Sequence, residues 1–258
     1  MLNFALTVVL VVCSLMVHEW AHVFAVQFMG GKVEKVGFFP FGMMARVRRL
    51  ERLHSWERYV IYAAGPAANF AVAFWAGITS HTSYVGVAWL DELAFYNLVL
   101  GVFNLTPVLP LDGGRILWQF LGNRVGILRA NRYLKRLGIA VSYVFIFLGF
   151  VQVIFFPYNI TLLCAGIFIR QKNKAISAEL QAAFHLALDG KNSDERSRTL
   201  PVKTIHIPAE TPIKHALERL AGDYFICYHI KKRLLREQTL INHIFKHGIT
   251  GTVEDIFI

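Results

Sequence analysis

The sequence predicts an α-helical polytopic membrane protein of about five spans, followed by a small α/β C-terminal domain on the cytoplasmic side. Three observations predict it. The 258-residue chain is 55% hydrophobic and 14% aromatic, yet its formal charge is +10. That charge is sorted: no Lys or Arg occurs from Met1 to Gly31 or from Tyr59 to Gly114, while seven lie between Lys32 and Arg58 and five between Arg124 and Arg136. The apolar runs fill the gaps, and four of the five reach the roughly 20 residues that a bilayer crossing needs. A chain this apolar is not disordered. A nucleic-acid groove has no need of long charge-free gaps, so no nucleic-acid partner is expected.

Taken in order, the apolar runs are Leu2–Met29, Trp56–Gly77, Leu93–Leu121 (interrupted by prolines), Leu137–Phe156 and Tyr158–Ile169. Counting Lys and Arg between them sets the orientation. Segments 30–58, 122–136 and 170–174 are basic, whereas 78–92 and the turn at Pro157 carry neither residue. This alternation puts the N-terminus outside and the tail in the cytoplasm. The Met1 end has no basic flank and does not read as a cleaved signal peptide. Cys13, Cys164 and Cys227 are dispersed, which argues against a disulfide framework and against a cysteine-based zinc site.

Ionisable residues inside a span cost about 2.5–3.5 kcal/mol each and need a reason. The first span holds His18-Glu19-Trp20-Ala21-His22. His18 and His22 are four apart, stacked on one helix face, and can aim two imidazoles at one ion. Glu19 stands beside the first histidine, where a carboxylate can take a proton from water at the metal. This is the His-Glu-x-x-His pattern of zinc hydrolases. Two histidines merely hydrogen-bonded between helices would explain the residues singly but not their spacing.

A catalytic zinc takes three protein ligands and keeps one position open. The other acidic residue well inside the apolar runs is Asp112, in Asn104-Leu-Thr-Pro107-Val-Leu-Pro110-Leu-Asp112-Gly113-Gly114; Glu57 stands at the very start of the second run, and Asp91 and Glu92 at the outer end of the third. Counting inward from outside, His18 lies about 25 Å deep and Asp112 about 28 Å if its run is helical throughout. The three candidate ligands can therefore meet near the inner leaflet. Pro107 and Pro110 break the helix just before Asp112, which is tolerated at membrane depth where the backbone is packed in protein or lines a wet cavity.

These motifs, with Ala64-Gly65-Pro66-Ala-Ala-Asn69 in the middle span, resemble the site-2 protease family of intramembrane zinc metalloproteases. Within it the chain is most like the sporulation branch. The motifs cover residues 1–121. The resemblance implies one Zn2+ held by His18, His22 and Asp112, Glu19 as the general base, and Asn104 as an active-site asparagine that orients substrate or stabilises an oxyanion. Gly65, Pro66 and Asn69 match a span packed close to the site and are read as structural. It also implies a membrane-tethered protein substrate (a sigma-factor precursor in that branch), membrane proteins that regulate cleavage, and a bacterial location in the membrane around the forespore. The branch usually places another span before the His-Glu-x-x-His helix; this chain begins directly at it.

Gly30-Gly31 ends the first helix, and the segment after it is too apolar for a solvated loop, with Pro40 and Gly42 marking a turn between two short strands. In the family this region looks like a re-entrant hairpin whose edge pairs with an extended substrate, a form of β-augmentation. Phe39, Phe41 and Pro110 are the substrate-binding candidates. The alternative is an amphipathic interfacial loop.

In the tail, Ser177–Leu188 reads as a helix and Asp189–Arg198 as a linker. Thr204–Ile207 reads as a strand, Thr211-Pro212 as cap and first turn, Ile213–Leu220 as a helix, Tyr224–Ile230 as a strand and Thr239–Lys246 as a helix. The pattern is similar to one CBS module, a type that binds adenine nucleotides when paired, so ATP is a candidate ligand with no residue assigned. A single copy implies a homo-oligomer or a docking role. His243 and His247 are four apart but lack a third ligand. The expected domains are a transmembrane metalloprotease domain at 1–172, a helix and linker at 173–199 and the CBS-like domain at 200–258. The expected function is intramembrane zinc endopeptidase; the alternative is a divalent-metal transporter, which should show repeated halves.

Overall fold

The computed structural model describes residues 4–39, 42–48, 55–82, 88–156, 159–173, 202–220 and 224–257. The expected helix Ser177–Leu188, the linker Asp189–Arg198 and the hairpin tip at Pro40 and Phe41 lie outside the described residues. The chain packs as two compact units, Met1–Leu117 and Trp118–Ile258.

The first unit contains helix α1 (Phe4–Phe28), strands β1 (Lys32–Phe39) and β2 (Gly42–Arg48), helices α2 (Ser55–Thr82) and α3 (Ala88–Asn104), and the start of α4 (Asp112–Val125). Helix α1 is apolar on every side, with Phe24 and Phe28 70% and 76% exposed. A helix of that kind is either wholly buried or faces lipid. It stops where the double glycine predicts: Gly30 adopts φ 75°, and the Gly31 N–H donates to Val26 O at 2.8 Å, the Schellman closure that favours glycine. Ala25 and Val26 then pack on Ile61 and Tyr62 of α2. The strands that follow pair antiparallel from Lys32↔Arg48 to Phe39↔Gly42, with a bulge between Val33 and Lys35. The hairpin expected from Pro40 and Gly42 is therefore present in the backbone, and Phe39 closes its first strand.

The third apolar run is not one helix. Helix α3 ends at Asn104, residues 105–111 form turns, and α4 begins at Asp112. Pro107 and Pro110 cannot donate to a helical ladder, and the Leu109–Pro110 peptide is cis. The returning backbone lies so close to the start of α4 that a Cβ on Gly113 would sit 2.1 Å from Leu105 O, and one on Gly114 2.3 Å from Val108 C. Only glycine leaves room there. The two glycines thus let the turn fold onto the helix whose first residue is Asp112.

The second unit holds the rest of α4, α5 (Ile127–Phe155), α6 (161–173), and the C-terminal elements β3 (Val202–His206), α7 (Ile213–Leu217), β4 (Phe225–Ile230), β5 (Arg233–Arg236), α8 (Glu237–His247) and a 3-10 turn at Glu254–Phe257. The expected basic loop 122–136 is a correction: it is helical except at Gly126, whose φ of 92° separates α4 from α5. Lys and Arg signal topology but are good helix formers, so charge alone does not break a helix. Helices α5 and α6 approach closely at Gly149, where a Cβ would meet Leu163 N at 2.5 Å, the small-residue packing common between membrane helices. Among the described residues, three helices are long and apolar enough to cross a membrane: Ala5–Phe28, Trp56–Thr82 and Ile127–Phe155.

The C-terminal sheet has the order β3-β4-β5, with β3 parallel and β5 antiparallel to β4. Pro212, not Thr211, takes the N-cap position of α7. Strand β5 has no counterpart in the sequence reading, because its turn at Lys231 (φ 52°) lacks the Asn or Gly that announces such a hairpin. Ile213, Ile226, Tyr228, Leu235 and Leu240 form the core, and Ile127 of α5 belongs to it. The same joint is held by polar contacts. Ile127 N–H donates to Leu220 O at 3.0 Å, Arg129 Nε donates to Glu218 at 3.1 Å, and Arg132 donates to the other Glu218 oxygen.

This clamp predicts a pH dependence. Burial raises the Glu218 carboxyl, but the hydrogen bonds from Arg132 and Arg129 outweigh it and hold the group below the ordinary glutamate range. A depressed carboxylate stabilises the fold above its unfolded pKa, about 4.3, and that contribution fades as pH falls below it. Because the guanidinium groups are 38% and 56% exposed, the pair contributes no more than about 1 kcal/mol. Glu218→Gln should lower the melting temperature of the full chain at pH 7, and the difference from the unchanged protein should shrink as pH falls from 5 towards 3. A difference that does not change over that range would contradict the clamp.

Candidate metal centre

Helix geometry places His18 and His22 one turn apart on α1, and the turn before α4 brings Asp112 to them. His18 Nε2 lies 3.0 Å and His22 Nε2 3.1 Å from the same oxygen, Asp112 Oδ2, and the two nitrogens are 3.2 Å apart. All three residues lie in the first unit. His18 and Asp112 are buried and His22 is half-buried. Asp112 is the first residue of α4, where a negative charge also suits the positive end of the helix. Its other oxygen faces Arg115 Nη1 at 4.0 Å.

The outer nitrogens decide what the inner ones can do. His18 Nδ1–H donates to Asn69 Oδ1 at 2.5 Å, and His22 Nδ1–H donates to Ile61 O at 2.7 Å. A ring so held directs Nε2 inward, where in its neutral, metal-binding form it offers a lone pair. In that form two lone pairs and a carboxylate oxygen converge on one point, an arrangement that a cation reconciles. Zinc bonds of about 2.0–2.1 Å in a tetrahedral set put ligand atoms roughly 3.3 Å apart, close to the separations found. Such orienting partners on the outer nitrogen are what metal-bound histidines require. The residues present fit a zinc ion, and His18, His22 and Asp112 could hold it.

Room for the ion comes from α2. A Cβ on Gly65 would stand 2.4 Å from His22 Nε2 and 2.6 Å from His18 Nε2. Glu19 is half-buried on α1, next to His18 in the chain and near His22, Asp112 and Arg115. Asn104 closes α3, and its Nδ2 donates to Leu100 O at 3.0 Å rather than to the cluster. Pro110 lies in the turn leading to Asp112. Phe39 ends β1, and Phe41 lies outside the described residues. The sequence reading took Asn69 as packing only; the structure makes it the hydrogen-bond partner of His18. The available signal was a polar amide inside an apolar span, three residues after Pro66.

Fold and site together describe a helical chain with three helices long and apolar enough to cross a membrane and three side chains that could hold one metal ion. Comparison with known proteins agrees. The model of peptidase family M50 matches residues 6–85 and 79–149, more than half of the chain, and the chain belongs to that family. A zinc metalloprotease of Methanocaldococcus jannaschii is 27% identical over 182 residues, covering 68% of this chain and 51% of that protein. Stage IV sporulation protein FB of Bacillus subtilis is 26% identical over 117 residues, covering 45% of this chain and 41% of the relative. Among solved structures, the site-2 protease from Methanocaldococcus jannaschii is similar with a TM-score of 0.56 and 26% identity, over 69% of this chain and 80% of that one. The chain spans about half the length, or less, of the curated relatives it matches. Nothing in these matches favours a metal transporter, and the family match stops before the C-terminal elements, so ATP gains no support there.

Proposed function

We propose that the chain is an intramembrane zinc endopeptidase that cleaves a membrane-tethered protein near the cytoplasmic leaflet. The observation that carries this reading is the convergence of His18 Nε2, His22 Nε2 and Asp112 Oδ2 within 3.2 Å, with both outer ring nitrogens already engaged. When bound, zinc supplies Lewis acidity to a peptide carbonyl and to water. His18, His22 and Asp112 hold the ion on rigid helix positions. Glu19, adjacent to the first ligand, takes the proton of the attacking water and returns it to the leaving amine, the general acid–base role. Asn104 reaches the substrate with the amide proton not used on Leu100 O. The hairpin β1–β2 is re-entrant and pairs with an extended substrate segment, with Phe39, Phe41 and Pro110 lining it.

The membrane domain occupies 1–172 with about five spans, its N-terminus outside. Residues 173–199 connect it to a CBS-like module at 200–258 in the cytoplasm. The kinship with stage IV sporulation protein FB supports a sporulation role, with a sigma-factor precursor as substrate and membrane proteins restraining the enzyme. Metal removal tests the core of this reading. Purified protein in lipid, given a tethered substrate, should lose cleavage when a chelator strips its zinc and regain it with one equivalent of Zn2+ but not with Mg2+. Full cleavage by metal-free protein would overturn it.

A further inference from the structure

The tautomer of His18 depends on a group that cannot set its own orientation. His22 is oriented by a backbone carbonyl, Ile61 O, which can only accept. His18 is oriented by a carboxamide, Asn69, which could as well turn its NH2 towards the ring and reverse the tautomer. Something must hold Asn69 the right way round. The structure assigns that role to Asn97 of α3, as a positioning residue for the metal centre; this rests on the zinc reading above.

The chain of donors has one direction. Asn97 Nδ2 donates to Leu93 O at 2.9 Å, one turn back on its own helix, and to Ser14 Oγ at 2.8 Å. Ser14 O–H in turn donates to Leu10 O at 2.7 Å, so its oxygen is left to accept. Both ends of the network therefore rest on backbone carbonyls, and Asn97 must present its oxygen to the other side. There Asn69 Nδ2 donates to Asn97 Oδ1 at 2.8 Å. Asn69 then has its oxygen towards His18, and His18 must carry its proton on Nδ1.

Asn69 and Asn97 are fully buried, and Ser14 and His18 nearly so. In such a site no water competes for these amides, and hydrogen-bonded chains polarise one another. The orientation of a carbonyl on α3 is thus passed through α2 to the ligand on α1. Without it, Asn69 is free to flip, and a flipped amide would place the His18 proton on the nitrogen that faces the ion. Outer partners of metal-bound histidines typically affect metal affinity 10- to 100-fold; one step further out, the lower end is expected.

The test uses the full chain in lipid nanodiscs, metal-free, with 15N-labelled histidine. In the unchanged protein, nitrogen shifts should report Nδ1–H for both His18 and His22. In Asn97→Leu, His18 should shift towards the Nε2–H form while His22 stays as it was, and competition with a chelator should show zinc bound about tenfold more weakly. Asn97→Asp keeps an acceptor oxygen for Asn69 and should hold the His18 tautomer. If Asn97→Leu does not accumulate, Asn97→Ala carries the same expectation. An unaltered His18 tautomer with unaltered zinc affinity in the Leu or Ala variant would overturn the assignment, as would Asn97→Asp losing the tautomer as fully as Asn97→Leu. If the unchanged protein binds no zinc, the metal reading fails, while the tautomer measurement still decides the role of Asn97.

Discussion

Glu19→Gln should leave zinc bound and stop cleavage. Glutamine has nearly the same shape as glutamate, so the helix and the two flanking histidine positions are undisturbed. It cannot take a proton from water, however, and it cannot return one to a leaving amine. General acid–base catalysis contributes about 10²–10⁴ in rate, and here one carboxylate is asked to act in both directions. A fall of at least about 10³ in the single-turnover rate is expected. Zinc content measured on the same sample separates this from metal loss, since Glu19 is close to the cluster without being one of its three converging ligands. Cleavage at the original rate with zinc still bound would remove Glu19 from the mechanism.

Gly65→Ala should abolish tight metal binding without harming the helix that carries it. Alanine is the best helix former and glycine is worse by about 1 kcal/mol, so α2 itself gains from the change. The added methyl would nonetheless sit 2.4 Å from His22 Nε2 and 2.6 Å from His18 Nε2. Those are the atoms that must approach the ion, and α2 is also tied to both rings through Asn69 and Ile61 O. It cannot retreat without letting go of the groups that orient them. Zinc affinity should fall about 100-fold or more, read by chelator competition, while helical circular dichroism stays unchanged. Wild-type affinity in this variant would show that the ion lies elsewhere.

Much of this was legible in the sequence for particular reasons. The i,i+4 spacing of His18 and His22 determines a shared helix face. The Gly30-Gly31 stop is a local backbone event, and the structure has it where the sequence places it. The third ligand followed from scarcity, since few carboxylates occur inside the apolar runs. The break in Leu93–Leu121 was legible too: Pro107 and Pro110 place it just before Asp112, and two glycines let the chain turn back on itself there. What the sequence did not show is that the basic stretch 122–136 is helical, because charge marks a side of the membrane without ending a helix.

By itself, then, the sequence pointed to the chemistry: an apolar helical chain with two imidazoles on one helix face, a carboxylate that could share an ion with them, and a second carboxylate beside the first imidazole. Those features are local, set by helical period and by the cost of placing ionisable groups among apolar ones. Tertiary structure alone decided that Gly65 faces the inner nitrogens of both histidines, that Asn69 bonds His18, and that Asn97 and Ser14 stand behind Asn69. These positions are separated by tens of residues, and hydrogen-bond direction between such amides exists only once three helices have packed and water has been excluded.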